Sequence, residues 1–560
     1  MSPRAWTTRQ MAPYHRISVR AVSSVFLVAA LGLWLATPVY GQADAPQWRA
    51  FIVDTFNTRL GTPEDVALAV ERAASAHANT LLVQVRRRGD AFYLDTQEPM
   101  PEATAIAPGF DPLGDLLVRA REAGLEVHAL LTLGPVWNAA TPPADGRHVF
   151  RRHGHDGARL VEGPENWLTR TLVPDGTGTS NDGYRFGNDF WLDFGHPDAA
   201  SYVVDVVTRL VARYPLDGVH LDALHYPPVP LDSASIGYNA VSVARFQRRT
   251  GQAGTPAAED PRWSDWRREQ ITALTRRIAV AAQAIRPALV VTVGGVADGA
   301  APGDVRGTTP FARRFQDWFA WTNDGSVDAV VPEVYRPEHD VRLAAEFTDW
   351  TGWLQATARA RPVIVGIGAY LNAAEGMMRQ ARAGAAAAGP QGGVALFSLA
   401  AINAPVIANP HSLPAGRDTP QRPFEDIASI LRTGRTTSGQ VVDPTMPPLF
   451  AVQVPRPGLP WKDVVGHVLG VVEDQDGLPS DGMALHLEAG DRRGGPADVV
   501  SDGSGVFAVP AVTPGTYRLR VVAPDGSTYI STCSVEVSAR AVAHVRLQVD
   551  ATRPAIATCQ

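Results

Sequence analysis

Asp222 and Glu333 each follow a short, apolar, β-branched run, G-V-H-L-D at 218–222 and A-V-V-P-E-V-Y at 329–335. Two carboxylates brought to facing sides of one pocket can hydrolyse a glycosidic bond. One, protonated, gives its proton to the leaving oxygen; the other stabilises or attacks the oxocarbenium-like centre, or activates water. Asp222 is the expected general acid, and Glu333 the group that orients water, stabilises charge or holds a substrate acetamido group. Either residue alone also reads as a carboxylate paired with an arginine.

Other strand ends supply candidate substrate contacts. Asp54 ends one run, and Arg86, Arg88 and Asp90 follow another; the arginines suit a substrate carboxylate or are partners of Asp54 and Asp90. Trp137, Trp191, Tyr226 and Tyr335 offer flat faces to sugar rings or ordinary packing. His128, His220 and His225 are expected to hydrogen-bond the acid. His220 and Asp222 are two residues apart, so in a strand they share a face; His128 and His220 also read as packed interior histidines. A metal-dependent reading through His220, Asp222 and His225 lacks evident further ligands, and no metal or cofactor is expected. Asp217, next to Gly218 where the strand begins, is expected to be structural.

The elements that must position these groups alternate. Apolar runs at 48–54, 80–86, 126–133, 218–222, 289–295, 329–335, 362–368 and 393–397 read as strands. Amphipathic runs at 63–78, 112–123, 198–214, 263–284, 311–321, 343–360 and 373–388 read as helices. This predicts an α/β fold, a (β/α)8 TIM-type barrel with its site at the C-terminal strand ends; an open doubly wound sheet is the alternative. The Gly-, Pro-, His- and Asp-rich stretch 134–188 is then a long loop on the catalytic face, with Asn138, His148, His153, His155 and Trp167 as candidate contacts or as members of a loop satisfying its own backbone.

A chain of 560 residues with 45% hydrophobic and 19% charged residues is globular and long enough for two or three domains. Its net charge of −6 gives no footprint for nucleic acid. Residues 1–41 read as a signal peptide or an uncleaved anchor: a basic start, an apolar run and a small residue at Gly41. Residues 42–409 are the expected barrel and 410–460 a proline-rich linker. Turn signals spaced through 461–550 predict a small all-β sandwich, with 551–560 as a tail. Cys533 and Cys559 either pair or remain thiols.

Several segments resemble one family in order along the chain: R-A-F-I-V-D-T at 49–55, Q-V-R-R-R-G-D-A-F-Y at 84–93, F-D-P-L at 110–113, W-L-D-F-G-H-P at 191–197, D-G-V-H-L-D-A-L-H-Y-P at 217–227 and V-D-A-V-V-P-E-V-Y at 327–335. They are similar to the bacterial glycosyl hydrolase-like family ten barrels. The resemblance implies a glycan-cleaving barrel outside the cytoplasm (secreted, periplasmic or in the cell envelope), acting in some members on peptidoglycan strands stripped of peptides. It places the catalytic assignment on Asp222. Many relatives have Asp or Tyr where this chain has Ala223, and Gln where it has Glu333. The C-terminal motifs S-D-G-S-G-V-F at 501–507 and V-T-P-G-T-Y at 512–517 resemble carboxypeptidase regulatory-like, transthyretin-like accessory domains. The expected partner is therefore a polysaccharide, peptidoglycan or a related amino-sugar glycan; a non-catalytic glycan-binding barrel is the competing expectation.

Overall fold

A computed structural model describes residues 45–94, 96–102, 105–172, 183–228, 235–301, 303–400, 423–445, 447–489, 492–493, 499–550 and 555–559. The expected signal segment lies outside them. Eight parallel strands form the barrel: β1 (Trp48–Val53), β2 (Thr80–Arg86), β3 (Glu126–Thr132), β4 (Gly218–Asp222), β5 (Val290–Gly295), β6 (Ala329–Pro332), β7 (Ile364–Gly368) and β8 (Gly393–Phe397). They pair in the order β7-β8-β1-β2-β3-β4-β5-β6. The ring closes between β6 and β7 through the single bridges Val330 to Val363 and Glu333 to Gly366.

Period-two alternation sorts each strand into two faces. Trp48, Ala50, Ile52, Leu82, Leu130, Val290, Ala329, Val331, Ile364 and Ala395 fill the interior. Phe51, Val53, Leu81, Val83 and Val85 point outward to the helices. Because both faces are buried, the strands read as near-continuous apolar runs. A polar residue on the inward face therefore stands out.

Helices start where cap chemistry dictates. Thr62, Asp111 and Asp260 each precede a proline, and their side chains accept from Asp65 N, Gly114 N and Arg262 N. The helix expected at 311–321 is instead two short ones, Thr309–Arg313 and Trp318–Asp324. Between them Phe315 has φ of 55°. Gln316 is drawn inward: its amide donates to Leu224 O and Gly294 O and accepts from Val296 N. These bonds tie the end of β5 to the turn after β4. β6 also stops sooner than expected, at Pro332, which has no N–H for a ladder.

The expected linker lies outside the described residues up to 422; from 423 on it packs on the barrel. Helix Phe424–Thr433 buries Phe424, Ile427, Ile430 and Leu431 in the outer core, supplying the helix after β8. Farther on, Val454 O and Pro455 O accept from Asn79 Nδ2 and Gln47 N, and Arg456 pairs with Glu126, covering the N-terminal end of the barrel.

From Gly466 the chain forms an all-β domain with its own core of Val468, Leu485, Leu487, Phe507, Val509, Leu519, Val521 and Leu547. Its last strand, Ala555–Cys559, falls in the expected tail and pairs with Thr528–Ser531 and Val542–Val549. Cys533 and Cys559 form a disulfide.

Candidate active site

β4 carries Val219 and Leu221 outward and His220 and Asp222 inward, so Asp222 emerges at the C-terminal mouth. A directed chain of hydrogen bonds holds it. Thr55 Oγ1 donates to Gln84 Oε1 (2.8 Å), Gln84 Nε2 to Thr132 Oγ1 (3.0 Å), and Thr132 Oγ1 to Asp222 Oδ2 (2.9 Å). Asp222 Oδ1 accepts from Ala223 N (2.8 Å). Ala223 reaches that geometry with φ of 51°, in the left-handed region that costs an alanine about 1–2 kcal/mol. Both Asp222 oxygens thus receive a donor, which favours the anion.

Glu333 lies one residue beyond β6. Its N–H donates to Gly295 O (2.8 Å) and its backbone bridges Gly366 across the barrel seam. Among the described residues its carboxyl has neither a cationic partner nor a hydrogen-bond donor. Asp222, Glu333 and Tyr335 are half-buried at the C-terminal mouth of the barrel, a recess in the sense that each keeps part of its surface in contact with solvent. Burial raises the pKa of Asp222, opposed by its bonds from Thr132 and Ala223. Burial pushes Glu333 well above the ordinary carboxylate range, and the charges of Asp222 and Asp298 push the same way. A Cβ on Gly294 would lie 3.4 Å from Asp222 Oδ1 and 3.6 Å from Glu333 Oε1. Those two oxygens are therefore at most about 7 Å apart, below most of the span of inverting glycosidases.

Among the other expected contacts, three border the recess. Tyr335 packs on Phe397 (5.5 Å between ring centroids), and its hydroxyl is buried without a partner. Trp191 lies against His225 (5.4 Å) and beside Gly134, its indole N–H likewise unpartnered. His220 Nε2 would lie 3.6 Å from the same Gly294 Cβ.

Asp54 and the arginine cluster shape the rim. Asp54 Oδ1 accepts from Phe56 N, Asn57 N and Asn57 Nδ2, fixing the loop after β1. Arg88 donates to Asp189 (2.8 Å), and Asp90 accepts from Arg88 N and Arg87. Arg87 and Arg88 lie 5.2 and 4.9 Å from the ring centroid of Phe56, whose residue is 53% exposed.

Four expected contacts have other work. Arg86 is fully buried, bonded to both Glu98 oxygens and to Thr132 O; Tyr202 also donates to Glu98. It is an internal ion pair with no face for a ligand. His128 is at the opposite end of the barrel, edge-on to Trp48 and close to Glu126. Tyr226 is buried against Phe315 and Asp193. Trp137 donates to Thr141 O and packs against His148 and Phe150.

In the long loop, His148 Nδ1 accepts from Phe150 N to cap a short helix and His155 Nδ1 accepts from Gly157 N, the backbone-satisfying role; His153 stacks on Trp167, and the Asn138 backbone carbonyl accepts from Arg185. His225 Nδ1 lies 2.8 Å from Tyr226 O. Among the described residues no cluster of three or more His, Cys, Asp or Glu could hold a metal, so His220, Asp222 and His225 do not form one ligand set. Asp217 Oδ2 accepts from Val127 N, a structural role.

Sequence reasoning missed Gln84, Thr132, Thr292, Gly294 and Phe56. The first three had a signal: they are polar residues in inward register within apolar strands.

The profile of the family described as glycosyl hydrolase-like 10 matches residues 42–378. The chain is 24% identical over 340 residues to the glycosyl hydrolase DigH of Escherichia coli K12, covering 58% of this chain and 68% of that protein. It is also 24% identical over 304 residues to the glycosyl hydrolase YngK of Bacillus subtilis, covering 52% of each. Among solved structures, the PgaB (BpsB) glycoside hydrolase domain of Bordetella bronchiseptica aligns with a TM-score of 0.43 at 14% identity, covering 63% of this chain and 94% of that one. The barrel, its paired carboxylates and a profile match over most of the barrel's length agree: the chain belongs to the glycosyl hydrolase-like 10 family and is a glycoside hydrolase.

Proposed function

We propose that this glycoside hydrolase is secreted and cleaves peptidoglycan glycan strands stripped of peptides, with Glu333 as proton donor and Asp222 as the anionic partner. The observation that carries these roles is the unequal environment of the two carboxyl groups. Asp222 holds two hydrogen-bond donors, whereas Glu333 has none among the described residues and faces the charge of Asp222. When environments separate the pKa values of two neighbouring acids, the acid and base roles follow. This reverses the assignment the sequence suggested for Asp222.

In the reaction, the Glu333 O–H protonates the glycosidic oxygen, the bond from that oxygen to the anomeric carbon breaks, and the alcohol leaves. The Asp222 carboxylate stabilises the positive charge developing on the sugar. Water then supplies hydroxide to the anomeric carbon, and its remaining proton restores the acid.

Support for the substrate comes from the family resemblance, and for secretion from the basic-then-apolar start of the sequence. The test is digestion of denuded glycan strands, read as new reducing ends. Wild type releases them, while Glu333→Gln and Asp222→Asn lose activity by about 10²–10⁴-fold with unchanged folding. Release from another amino-sugar polymer but never from denuded strands would overturn the substrate; full activity of Glu333→Gln would overturn the roles.

A further inference from the structure

Three polar atoms converge on one inward position that has no side chain. A Cβ on Gly294 would lie 3.4 Å from Asp222 Oδ1, 3.6 Å from Glu333 Oε1 and 3.6 Å from His220 Nε2. The space above Gly294 is framed by the two to four polar partners that an enclosed water needs. Gln316 fixes this point by donating to Gly294 O.

His220 contributes an acceptor there. Its Nδ1 lies 2.9 Å from Thr292 Oγ1, and Thr292 Oγ1 lies 3.3 Å from Val219 O. With the hydroxyl hydrogen directed to Val219 O, which can only accept, the hydroxyl oxygen receives Nδ1–H, and this tautomer is part of the proposal made below. Nε2 is then bare and faces the carboxyl groups. Burial, with His128 below, lowers the pKa of His220 to about 3, so the ring stays neutral at working pH.

We propose that His220 is a positioning residue for the catalytic pair: its bare Nε2, Asp222 Oδ1 and the Glu333 carboxyl hold one water over Gly294, which keeps the shared proton on Glu333. The inference rests on Glu333 being the proton donor. The count of hydrogens closes. The water donates to Nε2 and to the Asp222 anion, and its oxygen accepts the Glu333 O–H. The opposite tautomer would aim an N–H at the carboxyl groups, favour ionisation of both and discharge the acid. The titratable groups facing Glu333 are Asp222, Asp298, Tyr335 and Tyr370. Among the described residues no arginine or lysine pairs with it.

Gly294→Ala tests the water directly. Its methyl group meets nothing closer than 3.4 Å, and the native backbone there is outside the left-handed region, so the variant folds. The methyl takes the water's place, and kcat falls at least about tenfold with KM little changed. Thr292→Val removes the hydroxyl that fixes the tautomer. The basic limb of its kcat/KM profile moves to lower pH by roughly one unit, while Thr292→Ser keeps the limb in place. Wild-type kcat in folded Gly294→Ala, or an unmoved limb in folded Thr292→Val, overturns the proposal; if Thr292→Val does not fold, Gly294→Ala decides. An inactive Glu333→Gln beside a fully active Gly294→Ala removes this inference alone, whereas an active Glu333→Gln removes the parent assignment.

Discussion

Thr132 donates its hydroxyl hydrogen to Asp222 Oδ2 at 2.9 Å, and it is free to do so because Gln84 already donates to the same hydroxyl oxygen. The direction of the chain is fixed from Thr55 inward, so its last proton always points at the carboxylate. Thr132→Val keeps the shape and removes that donor. The Asp222 anion loses a bond that lowers its pKa, so the acid limb of the kcat/KM profile moves to higher pH, and activity at that limb falls by about tenfold, since a bond to a charged group is worth about 1.5–3 kcal/mol. Thr132→Ser restores the limb. A pH profile on denuded glycan strands reads both.

Glu333 carries a stability consequence of opposite sign to that of most surface carboxylates. Its folded pKa is raised by burial and by Asp222, so the folded state holds the proton more tightly than the unfolded chain. Its favourable contribution is complete below the unfolded value and is lost as pH rises through the folded one. Glu333→Gln removes a group that resists ionising. Its Tm is expected to exceed wild type at pH 7–8, with the gain vanishing near and below pH 4, where both states are protonated. Melting curves of the two proteins across this range check the sign; a lower Tm for the variant at pH 8 contradicts it.

Arg86 separates a substrate role from a structural one. Truncating it leaves Glu98 buried with the Tyr202 hydroxyl as its remaining side-chain hydrogen-bond donor among the described residues. Arg86→Met is expected to cost about 3–5 kcal/mol of stability, the usual result of breaking a buried ion pair. Arg86→Met with Glu98→Leu recovers much of that loss, because no unpaired charge remains. Denaturant unfolding gives the stabilities. A KM increase with unchanged stability would instead favour substrate contact.

Strand starts and ends were legible because both faces of a parallel barrel are apolar, leaving little ambiguity in runs such as 80–86 and 218–222. The carboxyl pair was legible for the same reason: a charge closing a buried run must be at a mouth. What could not be read was the partner of each polar group. Arg86 looks like a ligand contact until Glu98, twelve residues away in a loop, folds back onto it. His128 and His220 have the same residue type and the same inward register, yet one is near the N-terminal end of its strand and the other beneath the carboxyl pair. Gly294 gave no signal, since its role depends on three side chains from two other strand ends. The stretch 410–460 looked like a linker because its prolines hide that its described part, from 423, packs on the barrel and fastens its underside.

The all-β domain is joined to the barrel through charge as well as surface. Arg245, almost fully buried on helix Ala240–Thr250, donates through Nε and Nη2 to the two Asp481 oxygens, each at 2.7 Å, while its Nη1 donates to Gly195 O. Arg277 makes a second pair with Asp502. Gly195 follows Asp193, whose Oδ1 receives Ser242 and Gly195 N and lies 3.5 Å from the Tyr226 hydroxyl. The interface is thus continuous with the packing behind the loop that follows Asp222. Asp481→Ala strands a buried guanidinium, an expected loss of about 2–4 kcal/mol. Asp502→Ala removes the partner of Arg277 and the acceptor of Ser504 N and Val506 N, and is expected to cost about 1–3 kcal/mol. Thermal melting of the full chain orders the two variants. If Asp481→Ala melts with wild type, the domain is attached only loosely; if it melts early and kcat at low temperature stays unchanged, the contact braces the barrel without entering the chemistry.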